Sequence, residues 1–255
     1  MTLSLDWLPA TAFIYLLLFA RIGTMMMLMP ALGEQTIPVR MRLSFALAFT
    51  LVVFPLLSEI MPTMPPDLPG LAGLVVHEIA VGLMIGAIIR ITVMATQVAG
   101  AIIAFQTGLS GALAADPTQA GMQAAVFASF LSFLGITLIF ATDLHHVALA
   151  AIYESYQIFS PADPLMIEDA MQLAVRTVSG AFSIGVQMSA PFIVFGLVFN
   201  LGAGLLARLM PQLQVYFILM PANIIVGLLL FAILLTMMMG WYISAFENHL
   251  AMWRG

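Results

Sequence analysis

The sequence predicts an all-α integral membrane protein. Of its 255 residues, 63% are hydrophobic and 7% are charged, whereas soluble domains carry about 25% charged residues. The apolar segments are long enough to cross a bilayer as helices, and the sequence lacks the short alternating strands of a transmembrane barrel. We therefore expect one helical membrane domain over residues 1–255.

Composition also excludes several classes of function. The net charge is −5 and all seven basic residues are arginine, so no basic patch exists to bind nucleic acid. Cysteine is absent, which excludes disulfides and thiolate metal sites. No phosphate-binding GxxxxGK[ST] loop occurs either, so energy for the function would come from other components. We expect no cofactor and no enzymatic activity.

The first half of the chain predicts three long helices. Residues 8–29 and 41–60 are the first two apolar segments, and the proline-rich residues 61–70 predict a surface loop. Residues 71–105 follow; at 1.5 Å per residue they would reach roughly 50 Å, beyond a hydrocarbon core of about 30 Å. This third segment must either bend near Gly100 or project out of the membrane.

The second half predicts three further apolar helices. Residues 122–142 form a span that ends in a polar Asp-Leu-His-His sequence, and a mixed aromatic segment follows it. Residues 167–210 are again too long for one crossing, and Pro191 permits a kink. Residues 215–246 predict the last helix.

Between the third and fourth apolar segments lies a run of small residues, 106–121. Glycines at 108, 111 and 121 free the backbone, and Pro117 opposes a regular helix. In a bilayer, irregular backbone persists only where protein covers it or where it lines a wet cavity. The segment is therefore either an exterior loop or an element folded into something hollow.

Four charges lie inside apolar segments: Arg21, Glu78, Arg90 and Arg176. Such residues usually face a bundle interior, a partner or a water path. Glu78 and Arg90 are twelve residues apart, or about 18 Å along one helix, so they cannot pair with each other. We favour assembly contacts, which predicts that Glu78→Leu spares the isolated chain and weakens a complex.

Small residues indicate close helix packing. Gly82 and Gly86 form a GxxxG pattern, which lets helix backbones approach each other. Gly196, Gly202 and Gly204, with Asn200 among them, suggest similar packing later in the chain.

Two short motifs allow chemistry but favour ordinary structure. Gly108-Leu109-Ser110-Gly111 matches the GxSG pattern of intramembrane serine proteases, which need a histidine base near the serine. A flexible loop is the better interpretation of so common a pattern. Asp143, His145 and His146 suggest a metal site, but adjacent histidines on a helix point about 100° apart, and no further ligand is suitably spaced. We interpret them as a polar helix end.

Several motifs occur together in a fixed order. They are Arg21-Ile22, Pro30-x-x-Gly33, Pro38-x-Arg40, Pro55, Glu78-x3-Gly82-x3-Gly86, Ala99-Gly100, Gln106-x-Gly108-Leu109-Ser110, Asp116-Pro117, Asp143-Leu144-His145-His146, Ser155-Tyr156 and Asn200-x7-Arg208-x-x-Pro211-Gln212. Over residues 5–250 the chain resembles the FliR family of flagellar type III export-gate subunits, whose injectisome counterpart is SctT.

The resemblance implies a partner set and a location. It implies a protein-conducting pore built with FliP and FliQ, contact with FlhB and membrane lipid, and passage of unfolded flagellar proteins across the bacterial inner membrane. In that family the subunit has the structure expected of a FliP–FliQ fusion, made of long kinked helical hairpins. Much of the complex lies above the plane of the inner membrane, within the flagellar basal body.

The resemblance also implies roles for named residues. The glycine-rich loop acts as a pore plug, carried here by Gly108, Leu109, Ser110, Gly111, Asp116 and Pro117. Five charged residues are expected to be buried charges or subunit contacts: Arg21, Glu78, Arg90, Arg176 and Arg208. Two alternatives stay open: a secondary transporter that binds a small solute at broken helices near Gly100 or Pro191, and an intramembrane serine protease.

Overall fold

A computed structural model describes residues 8–34, 37–109, 117–161, 163, 167–210 and 215–251. Every regular element within these residues is helical. The helices are α1 (Leu8–Leu28), α2 (Val39–Leu57), α3 (Leu68–Gln106), α4 (Pro117–Ala141), α5 (Leu144–Ile158), α6 (Ile167–Leu209) and α7 (Val215–Ala251), with a 3₁₀ turn at Ser58–Ile60.

Prolines set both ends of α2. Pro38 precedes the helix in an extended conformation, with φ −55° and ψ 138°. Pro55 lies inside the last turn, where a missing N–H weakens the helix, and the chain tightens into the 3₁₀ turn three residues later. The position of the second span was therefore predicted correctly, but its last three residues form the 3₁₀ turn and not α-helix.

Helix α3 is one unbroken helix of 39 residues. It begins within the predicted proline-rich loop, because the Gly70 N–H donates to Asp67 Oδ2 at 3.1 Å and so satisfies an end group of the first turn. Proline is tolerated in that turn, since its N–H has no helical acceptor there. The loop prediction was wrong for Leu68 to Gly70, and no break occurs at Gly100.

The predicted loop 106–121 is also shorter than expected within the described residues. Gln106 is the last residue of α3, and Pro117 is the first residue of α4. Pro117 starts a helix because its fixed φ suits the first helical position. Residues 110–116 lie outside the described residues, and with them Ser110, Gly111 and Asp116.

The last two helices are long and continuous. Helix α6 has 43 residues and contains Pro191, and α7 has 37 residues and contains Pro221. Glu168 and Asp169 occupy the first turn of α6 and Arg208 its last turn, which matches the sign of the helix dipole at each end.

Five described helices are long and apolar enough to cross a membrane, and the number reaches six when α4 and α5 count as one broken span. This confirms the predicted class, an all-α integral membrane protein.

The chain divides into two compact units. The first contains α1, α2, α3 up to Ile91, and Asp143–Thr177; its core includes Leu17, Ile22, Met25, Ile85 and Ile89. The second contains Thr92–Thr142 and Val178–His249; its core includes Ile103, Met188, Phe192, Tyr242 and Phe246. The single domain expected over residues 1–255 stays a prediction.

Candidate functional site

A buried ion pair joins α1 to α3 in the first unit. Arg21 Nε and Nη2 donate to the two carboxylate oxygens of Glu78 at 2.8 and 2.7 Å, across 57 positions of sequence. Both side chains are fully buried. The paired geometry satisfies both oxygens, which is what a buried ion pair requires to offset the loss of hydration.

The other donors of Arg21 reach the end of α5. Its Nη1 donates to the Ser155 carbonyl at 3.0 Å, and its Nη2 donates to the Phe159 carbonyl at 2.8 Å. The guanidinium also lies 4.0 Å from the centre of the Tyr156 ring. A cation is favoured at a helix C-terminus and over an aromatic face. One arginine therefore connects three helices.

At Glu78 the structure shows a buried charge that is paired within the chain, which is one of the two roles expected for this residue; a subunit contact there stays a prediction. The carboxylate is fully buried and its partner belongs to the same chain. The partner could not be identified from the sequence, because helical spacing relates only residues within one segment.

The pair can form because α1 and α3 approach closely. A Cβ at Gly82 would fall against Thr24 Oγ1 and 2.5 Å from the Arg21 carbonyl oxygen. A Cβ at Gly86 would lie 2.9 Å from the Leu28 Cβ. The GxxxG spacing thus places the contact surface of α3 against α1, beside the buried charges.

The remaining charges are more exposed. Arg90 Nη1 lies 2.5 Å from Glu34 Oε1, with 28% and 34% of the two side chains exposed. Arg176 and Arg208 are exposed on α6. For these two arginines a subunit contact stays a prediction.

The start of the loop rests on the last two helices of the second unit. The Gln106 side chain occupies the space beside Gly196 of α6, and a Cβ at Gly227 of α7 would lie 2.7 Å from the Thr107 Cβ. Thr107 is buried, and its hydroxyl donates to the Ile103 carbonyl at 2.9 Å. The end of α3 is therefore held by close contact with both helices.

Gly108 follows in a left-handed conformation. Its φ is +73°, and a Cβ there would lie 2.7 Å from Asn223 Nδ2. Both the backbone angle and the space favour glycine at this position. The Asn223 Oδ1 atom is buried and meets no hydrogen-bond partner among the described residues.

The other predicted packing positions lie in different surroundings. Gly196 is in contact with Gln106, whereas Gly202 and Gly204 have no described atom within 4 Å of an added Cβ, so close packing at these two positions stays a prediction. Asn200 is exposed, and its packing role stays a prediction.

The structure brings together three possible metal ligands. Ligand atoms of Asp143, His145 and His146 lie within 4.8 Å of one another. Asp143 adopts φ +59° before α5, and His146 Nδ1 lies 3.7 Å from Asp143 Oδ1. The three ligand atoms are thus closer together than the helical spacing of the two histidines suggested, and the interpretation as a polar helix end stays a prediction. Imidazole and carboxylate are suitable ligands for zinc, although a structural zinc site needs a fourth ligand.

The family follows from comparison with known proteins. A model described as "Bacterial export proteins, family 1" matches residues 12–249. The chain belongs to this family. It is 49% identical over 89% of its length to the flagellar biosynthetic protein FliR of Caulobacter vibrioides, covering 91% of that protein. This confirms the resemblance that the ordered motifs indicated.

More distant family members include proteins of two kinds. FliR of Bacillus subtilis is 30% identical over 89% of the chain and 86% of its own length. The Yop proteins translocation protein T of Yersinia pestis is 26% identical over 88% of the chain and 87% of its own length. Each of these three alignments covers at least 88% of this chain and therefore includes residues of both of its compact units.

Proposed function

We propose that this chain is a subunit of the flagellar type III export gate in the bacterial inner membrane. The observation that carries the proposal is the 49% identity to a flagellar FliR over 89% of the chain. In this proposal FliP and FliQ complete a pore with the chain, FlhB contacts it, and unfolded flagellar proteins pass through.

Exposed apolar surface supports an assembled state. In the most apolar 18-residue stretch of α6, only 11% of the residues are buried within the chain, and the same fraction holds for α7. Such surfaces must face lipid or other helices. Helix α6 has 43 residues and would reach roughly 65 Å at 1.5 Å per residue, about twice the hydrocarbon thickness. Lipid alone therefore cannot cover it.

The proposed role is not enzymatic. The relatives are named for flagellar biosynthesis and for protein translocation. The solute-transporter alternative needed a broken helix, yet α3 runs unbroken through Gly100, where an added Cβ would collide with the Ala128 backbone. Helix α6 likewise continues through Pro191, and the break between α4 and α5 lies at neither of the two expected positions.

The test is complementation of export. A flagellated bacterium that lacks its own FliR receives this chain, and the flagellar proteins secreted into the medium are measured at matched membrane levels of the chain. We expect secretion to return. The Gly73→Ala variant should restore secretion as well as the parent chain does, since an added Cβ there meets no described atom within 4 Å. A well-expressed chain that restores no secretion, in a host where a relative's FliR does, would contradict the proposal.

A further inference from the structure

The start of α5 carries a cluster of metal-ligand side chains that the proposed function does not use. We propose that Asp143, His145 and His146 bind one divalent transition-metal ion such as zinc, and that the ion holds the residue before α5 to the first turn of the helix. One ligand atom from each residue lies within 4.8 Å of the other two. Within the described ranges, this is the one group of three such side chains that lie so close together.

The distances are near those of a tetrahedral ion. Two ligand atoms that are bound at about 2.1 Å and separated by a tetrahedral angle lie about 3.4 Å apart. His146 Nδ1 is 3.7 Å from Asp143 Oδ1. The ring centres of His145 and His146 are 4.0 Å apart, although consecutive helical positions differ by about 100° in direction. The two imidazoles therefore lie side by side, and small side-chain rotations suffice to close the set around an ion.

The conformation of Asp143 brings its carboxylate to the histidines. Its φ of 59° and ψ of 10° are left-handed, and its side chain makes no capping hydrogen bond to α5. An aspartate that precedes a helix usually accepts a hydrogen bond from an N–H of the first turn. Here the carboxylate lies beside an imidazole instead, which is the arrangement that a shared metal ion needs.

The ligand set selects the class of ion. Neutral imidazoles with a carboxylate suit zinc and its transition-metal neighbours, whereas magnesium and calcium prefer oxygen ligands alone. A helix N-terminus disfavours a cation, but this effect is weak at exposed positions, and the Asp143 charge opposes it. The side chains of Asp143 and His146 are 79% and 69% exposed, so water can occupy the fourth position.

Such an ion would hold the beginning of α5. The other end of this helix is already held, because the carbonyls of Ser155 and Phe159 accept hydrogen bonds from Arg21. An ion that binds the folded arrangement better than the unfolded chain stabilises the folded state. Zinc should therefore raise the melting temperature of the chain.

The experiment titrates zinc into the full chain, purified in detergent without a polyhistidine tag and freed of metal with a chelator. Calorimetry measures the stoichiometry and the affinity, and thermal unfolding measures the stabilisation. We expect one zinc ion per chain and a melting temperature that rises with zinc concentration. Magnesium at the same concentration should leave the melting temperature unchanged, because it binds imidazole poorly.

Two variants test the ligands. Asp143→Asn and His146→Gln should each weaken zinc binding at least about tenfold, since even partners of metal ligands contribute about 10–100-fold to affinity. Both side chains are largely exposed, and asparagine tolerates a left-handed backbone, so the metal-free variants should melt as the parent does. If Asp143→Asn alone melts lower without metal, His146→Gln carries the test. Asp163→Asn is the matched control, because it neutralises an exposed carboxylate between α5 and α6 and should bind zinc as the parent does.

Three results would overturn the metal site: a parent chain that binds no zinc, ligand variants that bind zinc as tightly as the parent, or an equal thermal shift with magnesium. Each of these results leaves the export proposal standing, because secretion in the complementation test is measured separately. Failure of complementation would in turn leave the zinc titration unchanged.

Discussion

At the scale of single residues, Arg21 determines how the first unit is held together. An isolated charge in an apolar interior is prohibitively costly, yet Arg21 is fully buried because Glu78, two backbone carbonyls and the Tyr156 ring surround it. The sequence identified both charges as unusual, since each interrupts an apolar segment. It could not pair them, because their proximity depends on how α1 and α3 pack.

The first prediction concerns this pair. Glu78→Leu should destabilise the chain itself by about 3–5 kcal/mol, because it leaves the Arg21 charge buried without its counter-ion. The melting temperature of the detergent-solubilised chain measures the effect. Adding Arg21→Met should recover part of the loss, since an apolar pair of similar size carries no buried charge.

Glu59→Leu is the control for the first prediction, since Glu59 is exposed in the 3₁₀ turn that follows α2. An unchanged melting temperature for Glu78→Leu, together with a weakened complex, would restore the assembly contact that the sequence first suggested.

The second prediction concerns Ser110, which lies outside the described residues. Ser110→Ala should leave export nearly intact, because the plug role that the family resemblance implies for this loop needs small side chains and no nucleophile. Secretion of flagellar proteins measures the effect, with the parent chain at equal membrane level as reference. Loss of secretion together with loss of a cleavage product would favour the intramembrane protease.

At the scale of elements, the helices were predictable and their ends were not. Long apolar segments predicted the spans, because bilayer thickness sets the length of an apolar helix. The errors occurred at Pro69 and Pro117, which were interpreted as helix breakers but lie in or at the first turn of α3 and α4. A proline there removes no helical hydrogen bond. Asp67, two residues before Pro69, was the signal for the start of α3.

The third prediction compares two glycines of α3. Gly82→Ala should cost about 1–3 kcal/mol in chain stability, because the new Cβ would collide with the Arg21 carbonyl oxygen. Gly73→Ala, with open space at the same helix, should be neutral or stabilising by up to about 1 kcal/mol through helix propensity. Melting temperatures of the two variants measure the difference. Equal values would mean that α1 and α3 do not pack as closely as described.

The fourth prediction concerns the loop between α3 and α4. Deleting Leu109 to Ala115 should preserve assembly, because the contacts of Gln106, Thr107 and Gly108 with α6 and α7 remain. It should make membranes leak small ions when the chain is expressed with FliP and FliQ. Conductance at matched complex levels measures this. A connector without a closing role would leave the assembled complex as tight as the parent.

At the scale of the whole molecule, composition and burial indicate a protein that functions in an assembly. With 63% hydrophobic residues, the chain carries more apolar surface than its own folding covers, and the large exposed side chains include Leu197, Leu201 and Leu205 on α6. The sequence predicted the membrane and the excess helix length. The partners were implied by family resemblance alone, because partner choice depends on surface complementarity that a single chain does not contain.

The central claim is that this chain is one subunit of a larger gate, and the mass of the purified particle tests it most directly. The chain is co-expressed with FliP and FliQ, extracted gently and weighed by native mass spectrometry. We predict a particle containing all three proteins in a fixed and unequal ratio. A particle that contains only this chain, as a stable monomer or a symmetric dimer, would contradict the account.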